Sequence, residues 1–143
     1  MAVSRLTSLP MALFAAMTFG SISAHALDAG DAAKGEKVFK RCMACHMVGD
    51  DAKNRVGPML NNIIGRTAGT VEDYKYGKDL VAAGEAGLQW TEDELFEYLA
   101  DPKKYLRAKL DNKKARSKMA FKLKKEDERK EVIAYLKTFS PEE

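Results

Sequence analysis

Cys42, Met43, Ala44, Cys45 and His46 place two thiols three positions apart, with an imidazole directly after the second. On one helical turn both sulfurs lie on the same side, where each can form a thioether to a vinyl group of one porphyrin while the imidazole points at its iron. C-x-x-C-H is therefore read as the attachment pattern for one haem c. Three other uses of these residues are weighed beside it. A thioredoxin-like redox pair calls for alternating strands and helices, a pattern the chain lacks. A zinc site needs four ligands, and beyond position 26 the sequence holds two Cys and one His, so carboxylates would have to complete it. A structural disulfide across two residues closes a loop too small to stabilise much and gives His46 no task.

An iron bound by His46 has a sixth position, and its occupant separates a carrier from a catalyst. A vacant site suits ligand or peroxide chemistry, whereas a thioether closes the site and raises the reduction potential. Met43, Met47, Met59 and Met119 are the candidates. Met43 and Met47 flank the attachment residues too closely to reach the other face of the ring. Met59 and Met119 remain open; Met119 is preferred because it lies far along the chain, in a loop that can wrap around before the last helix.

These residues must be positioned by helices. Asp31 reads as an N-cap for a helix running to about Arg41, with Gly35, Val38, Phe39 and Cys42 on one face. Residues 47–87 are rich in Gly, Asn and Asp, with Gly57-Pro58, Gly65, Gly69, Gly77 and Gly84 interrupting any long period, so loops and short helices are expected. Thr91 and Glu94 form a capping box ahead of Leu95, Phe96, Tyr98 and Leu99, and Pro102 is expected to close that helix. The final helix starts near Lys125 behind the acids of residues 126–128 and buries Val132, Ile133, Leu136 and Phe139. No strand signal or repeat appears, and the predicted fold is all-α with long loops. Three or four short helices make a thin core, which a large apolar group such as haem would fill.

The chain has 143 residues, enough for one domain. Residues 1–26 read as a signal peptide: Arg5, an apolar run over residues 11–19, then small residues through Ala24 and Ala26. That run is too short to cross a bilayer. The mature domain is thus placed at 27–143, starting at Leu27, soluble and in the periplasm, where thiols oxidise. The formal net charge is +3, which by itself predicts no partner. Its distribution is uneven. Residues 102–125 hold eleven Lys and Arg against Asp111, while residues 72–101 hold nine acids against Lys75 and Lys78, so a strong charge dipole is expected.

With these residues in hand, the mature chain resembles class I cytochrome c, the mitochondrial-like family, across nearly its whole length. Gly35 with Phe39, Cys42 to His46, Gly57-Pro58, Gly65-Arg66, Trp90, Tyr98 with Pro102-Lys103-Lys104-Tyr105, Lys118-Met119-Ala120-Phe121 and Ala134-Tyr135-Leu136 carry the likeness in order. The resemblance implies a small fold whose first and last helices cross, with long loops wrapped around one covalent haem. It implies that His46 and Met119 are the axial iron ligands, that Tyr98 hydrogen-bonds the Met119 sulfur, and that the Pro58 carbonyl holds the other nitrogen of His46. Arg66, Tyr76 and Trp90 are implied to bury and neutralise the haem propionates. Gly35 fits a close crossing of the first and last helices, with Phe39 near Tyr135.

The chain departs from the mitochondrial pattern twice. The stretch from Tyr76 to Trp90 is about three residues longer by that likeness, which leaves an internal Asn near the haem unassigned, Asp79 or Leu80 being nearest. An insertion of about eight residues between Leu106 and Ser117 resembles the longer bacterial c2 subgroup, and Ser117 stands for a family Thr whose hydroxyl could reach a propionate.

A haem closed on both sides leaves no room for substrate, so the expected function is one-electron transfer by a soluble monomer. The expected partners are membrane complexes: a quinol-oxidising complex as donor, and a terminal oxidase, reaction centre or reductase as acceptor. They would dock on a basic face made by Lys40, Lys104, Lys109, Lys113, Lys114 and Lys118; nucleic acid is not an expected partner. The competing class is a haem enzyme or gas-binding cytochrome with an open site.

Overall fold

The computed structural model of the chain describes residues 30–140. The leader expected over residues 1–26 and the start at Leu27 lie outside the described residues. Helix α1 spans Ala32–Phe39. The Asp31 carboxylate caps it, accepting the N–H of Ala33 at 2.9 Å and of Lys34 at 3.2 Å, so two otherwise orphaned donors are satisfied. Beyond Phe39 the chain tightens into turns, with Cys42 N–H on the Phe39 carbonyl at 2.7 Å and His46 N–H on the Cys42 carbonyl at 2.9 Å. Those turns deliver the attachment residues.

Helix α5 spans Glu126–Lys137 and crosses α1. The crossing is close enough to require glycine: a Cβ at Gly35 would stand 1.9 Å from the Glu131 carbonyl oxygen, a backbone atom that cannot move aside. Phe39 and Tyr135 pack with ring centroids 5.4 Å apart, and Val132, Ile133 and Leu136 are buried, while Phe139 is half-buried against Tyr135. Arg41 and Glu128 add an ion pair at 2.8 Å across the same junction.

Three further helices complete the frame: α2 at Lys78–Glu85, α3 at Glu92–Ala100 and α4 at Pro102–Lys109. Thr91 caps α3 by accepting the Glu94 N–H at 3.1 Å. Pro102, expected only to close α3, also opens α4. Extended backbone at Asp101 ends one helix, its carboxylate accepts the Lys104 N–H at 3.0 Å, and Pro102 fills the first position of the next, where a missing N–H costs nothing. The inserted region therefore begins as helix. No strand occurs among the described residues; Thr67 and Gln89 form an isolated antiparallel bridge.

The nine acids and eleven bases expected to oppose each other across the molecule are partly folded together. With only Asp101 between α3 and α4, Glu94 meets Lys109, and Asp101 pairs with Lys122 at 2.6 Å. Neighbouring elements thus neutralise one another locally at these two pairs.

Candidate functional site

Between these elements lies a cavity of about 480 Å³. The turn after α1 lines it with Cys42, Cys45 and His46, the following loop with Val56, Gly57 and Pro58, and α3 with Leu95, Tyr98 and Leu99. Residues 116–121 run along it, bringing Ser117, Met119 and Phe121 to the same space. Of the four candidate methionines, Met119 is the one that lines the cavity among the described residues. Met59 does not line it, and its backbone is tied into the loop: the N–H donates to Asn54 Oδ1 at 3.0 Å and the carbonyl accepts from Arg66.

His46 is held in one orientation and one tautomer. Its Nδ1 lies 2.7 Å from the Pro58 carbonyl oxygen. A carbonyl only accepts, so Nδ1 carries the proton and Nε2 keeps the lone pair that an iron needs. Burial holds the imidazole pKa below its ordinary value against the opposing pull of the Pro58 bond, with Arg66 adding to the depression, and the ring is neutral at pH 7. Gly57 makes room for it: a Cβ there would sit 2.3 Å from His46 Cε1. No disulfide joins Cys42 and Cys45, and burial pushes the Cys42 thiol up to about 11, Arg41 opposing and Cys45 adding. No cluster of three or more His, Cys, Asp or Glu able to hold a bare metal ion occurs among the described residues. Two thiols, a neutral oriented imidazole and a thioether around one largely apolar cavity fit a covalent haem.

Met119 is oriented by a short polar chain. Its N–H donates to Ser117 Oγ at 3.1 Å, and Ser117 Oγ lies 3.4 Å from Tyr98 Oη. The Tyr98 hydroxyl, expected on the Met119 sulfur, thus faces Ser117 instead. Ser117 Oγ accepts the Met119 N–H as a local turn bond, which leaves the hydroxyl proton to donate elsewhere. Burial raises the Tyr98 phenol above its ordinary value, Ser117 opposing, so Tyr98 remains a protonated donor.

Arg66, Tyr76 and Trp90 all line the cavity. The Arg66 guanidinium donates to the carbonyls of Asn61 at 3.0 Å and Met59 at 3.3 Å. Burial lowers its pKa and the nearby Tyr76 raises it. Trp90 is buried with its ring 4.8 Å from that of Tyr98. Leu80 lines the cavity while Asp79 does not, which settles the two on different sides of α2.

One cavity-lining aromatic, Tyr74, carries no role in the sequence analysis, and Tyr105 enters there only as a landmark of the family likeness. Tyr74 lines the cavity, donates to the Val56 carbonyl at 2.7 Å and packs its ring 4.6 Å from that of Tyr76; the Tyr-Lys-Tyr spacing was its signal. Tyr105 stacks 5.5 Å from Tyr98 and donates to the Glu94 carboxylate, which Lys109 also engages. The other expected docking residues are scattered over elements. Lys40 stands exposed at the end of α1 and Lys104 on α4, and Lys113 and Lys114 are exposed beyond it. Lys118 is exposed too, but its ammonium donates to the Lys75 carbonyl and lies 5.8 Å from the Tyr74 ring.

The family description "Cytochrome c" matches residues 32–140. The chain belongs to the class I cytochrome c family. It is 54% identical to cytochrome c2 iso-2 of Rhodospirillum centenum, over 79% of this chain and 98% of that protein. It is 47% identical to cytochrome c2 of Rhodospirillum rubrum, over 88% of this chain and 92% of that one. The solved structure of cytochrome c2 from Rhodospirillum centenum superposes with a TM-score of 0.76 at 54% identity, covering 78% of this chain and all of that one. The Paracoccus denitrificans cytochrome c2 structure gives 0.73 at 42% identity, covering 78% of this chain and 98% of that one. Both the family and the c2 type expected from the sequence are therefore established, as is the all-α cytochrome fold. As a member, the chain carries covalently bound haem c, and the sequence contains a single C-x-x-C-H.

Proposed function

We propose that this monohaem electron-transfer protein works in the periplasm, passing single electrons from a membrane quinol-oxidising complex to a terminal oxidase, reaction centre or reductase. Cys42 and Cys45 hold the haem, and His46 and Met119 are the axial ligands. The observation that carries this reading is that Met119, far along the chain, lines the same cavity as Cys42, Cys45 and His46. The haem supplies a one-electron iron couple. The protein's own part is to close both axial positions, to hold His46 neutral through burial and the Pro58 carbonyl, and to surround the ring with Leu80, Trp90, Leu95 and Leu99, which exclude water. Arg66, Tyr76 and Trp90 are placed to meet the propionates, and Ser117 with Tyr98 orients the ligand loop.

Docking is assigned to the basic residues near Met119. Lys113, Lys114 and Lys118 are exposed, Lys118 with its ammonium on the Lys75 carbonyl, with Lys40 and Lys104 as further contacts and Lys109 shared with Glu94. A weak, charge-steered encounter suits a carrier that must leave as readily as it binds. No described helix is long and apolar enough to cross a membrane.

Stopped-flow oxidation of the reduced holoprotein by acceptor membranes tests this. The rate is expected to fall steeply as ionic strength rises, and Lys118→Glu to lower it at low salt. A salt-independent rate refutes the docking. The mass of the exported protein is expected to match residues 27–143 plus one haem.

A further inference from the structure

The segment carrying Met119 runs from residue 116 to residue 123 before α5 begins, and its two ends are fixed differently. At the downstream end Leu123 is buried, its N–H on the Leu99 carbonyl at 2.8 Å. At the upstream end the fixing group is a carboxylate from another element: Asp79 Oδ2 accepts the Arg116 N–H at 2.9 Å. Asp79 is buried at 9% exposure and lies outside the cavity lining. It occupies the first turn of α2, whose N-cap Gly77 supplies no side-chain cap. A carboxylate there ordinarily turns back on its own helix's free N–H groups or faces solvent. Here it reaches instead to a backbone amide 37 positions away.

The neighbouring backbone depends on that contact. Arg107 Nε donates to the Ala115 carbonyl at 3.2 Å, and Ala115 is fully buried, so the chain enters residue 116 from a fixed point. One residue on, Ser117 accepts the Met119 N–H and faces Tyr98. Asp79 therefore sets the position of the peptide that begins the ligand turn. We infer that Asp79 is a positioning residue for Met119: it pins the upstream end of the ligand segment to α2 and so keeps the thioether on the iron. This rests on the reading of Met119 as the axial ligand.

The test follows the weak far-red band of ferric Met-ligated haem and the helical circular dichroism of the same holoprotein through a denaturant titration. Asp79→Ala removes the acceptor, and Asp79→Asn keeps an acceptor oxygen while removing the charge. A lost hydrogen bond to a charged acceptor corresponds to roughly tenfold in the opening equilibrium of the segment. In Asp79→Ala the band is expected to vanish at lower denaturant than in the parent and well before the helices melt, while Asp79→Asn stays close to the parent. Band loss in Asp79→Ala that keeps the parent's separation from helix melting overturns the inference, since a merely structural role would move both together. Native-state hydrogen exchange in the unaltered holoprotein gives a second arm should Asp79→Ala not accumulate. The Arg116 amide is expected to exchange only when the segment opens; exchange at the free rate overturns the inference. Met119→Ala separates the two claims. Its far-red band must be absent, and a band that persists there overturns the ligand assignment and the role of Asp79 with it.

Discussion

The two sides of the cavity are built in opposite ways. On the attachment side, His46 is set by residues within twelve positions: the turns after α1, the Gly57 gap and the Pro58 carbonyl at 2.7 Å. On the other side, Met119 depends on Tyr98, Asp79, Leu99 and Arg129, contributed by three helices. Local construction fixes a ligand with the chain itself, whereas non-local construction makes it contingent on packing. The thioether side should therefore be the first to open and the easier to tune.

The largest expected effect lies on the local side. Gly57→Val would press a side chain into the His46 ring, where even a Cβ would be 2.3 Å from Cε1. Overpacking of this kind costs about 1–3 kcal/mol, and here it also turns the imidazole off Pro58. The yield of covalently haem-loaded protein, read by haem absorbance per chain, is expected to collapse. A normal yield would show that the attachment side is looser than described.

Met119→Ala should leave the attachment and the helices in place, remove the axial thioether and lower the reduction potential. Potentiometry on the purified protein checks this. An unchanged potential would make the two sides equivalent.

Arg129 offers a smaller break. It is 6% exposed on α5, its guanidinium donates to the carbonyls of Leu123 at 2.9 Å and Lys124 at 2.8 Å, and it lies 4.2 Å from the Phe96 ring centroid. Arg129→Met strips both carbonyls of their donor at a cost of about 2 kcal/mol, while relieving the buried Nε, which has no partner among the described residues. Denaturant melts should show that loss, with the thioether side opening earlier.

The smallest effect concerns Glu94. Burial raises its pKa, but Lys109 and Tyr105 outweigh that and hold it below the ordinary 4.5. A depressed folded pKa contributes stability that is present above the unfolded value and fades as pH falls through the folded one. The side chain is half-buried and still reaches solvent, so screening limits this to about 0.5 kcal/mol. Glu94→Gln should remove about 0.5 kcal/mol of the stability that the parent loses as pH falls below about 5, read from denaturant melts across pH, and leave both axial ligands untouched.

The same contrast explains what could be read from the sequence. Cys42, Cys45 and His46 fall within five residues, α1 and α3 carry their own caps, and α5 carries an acidic first turn and 3.6-residue spacing, so they are legible, as is Gly35 at the crossing. Helix α4 was missed because Pro102 was taken as a stop, although the same residue is favoured at a helix start. The Asp79 contact spans 37 positions, and no local pattern encodes it. Arg129 did leave a signal: residues 129, 132, 133 and 136 fall on one helical face, so an arginine sits in the apolar stripe. The pairing of Glu94 with Lys109 was hidden because net charge along the chain says nothing about which segments fold side by side.

The most direct test of the whole arrangement is the ferric absorption spectrum of the purified holoprotein beside that of Met119→Ala. A low-spin spectrum with the weak far-red band in the parent, and the loss of that band in the variant, are expected. A high-spin spectrum in the parent, or a band that survives without Met119, would contradict the closed His46 and Met119 site.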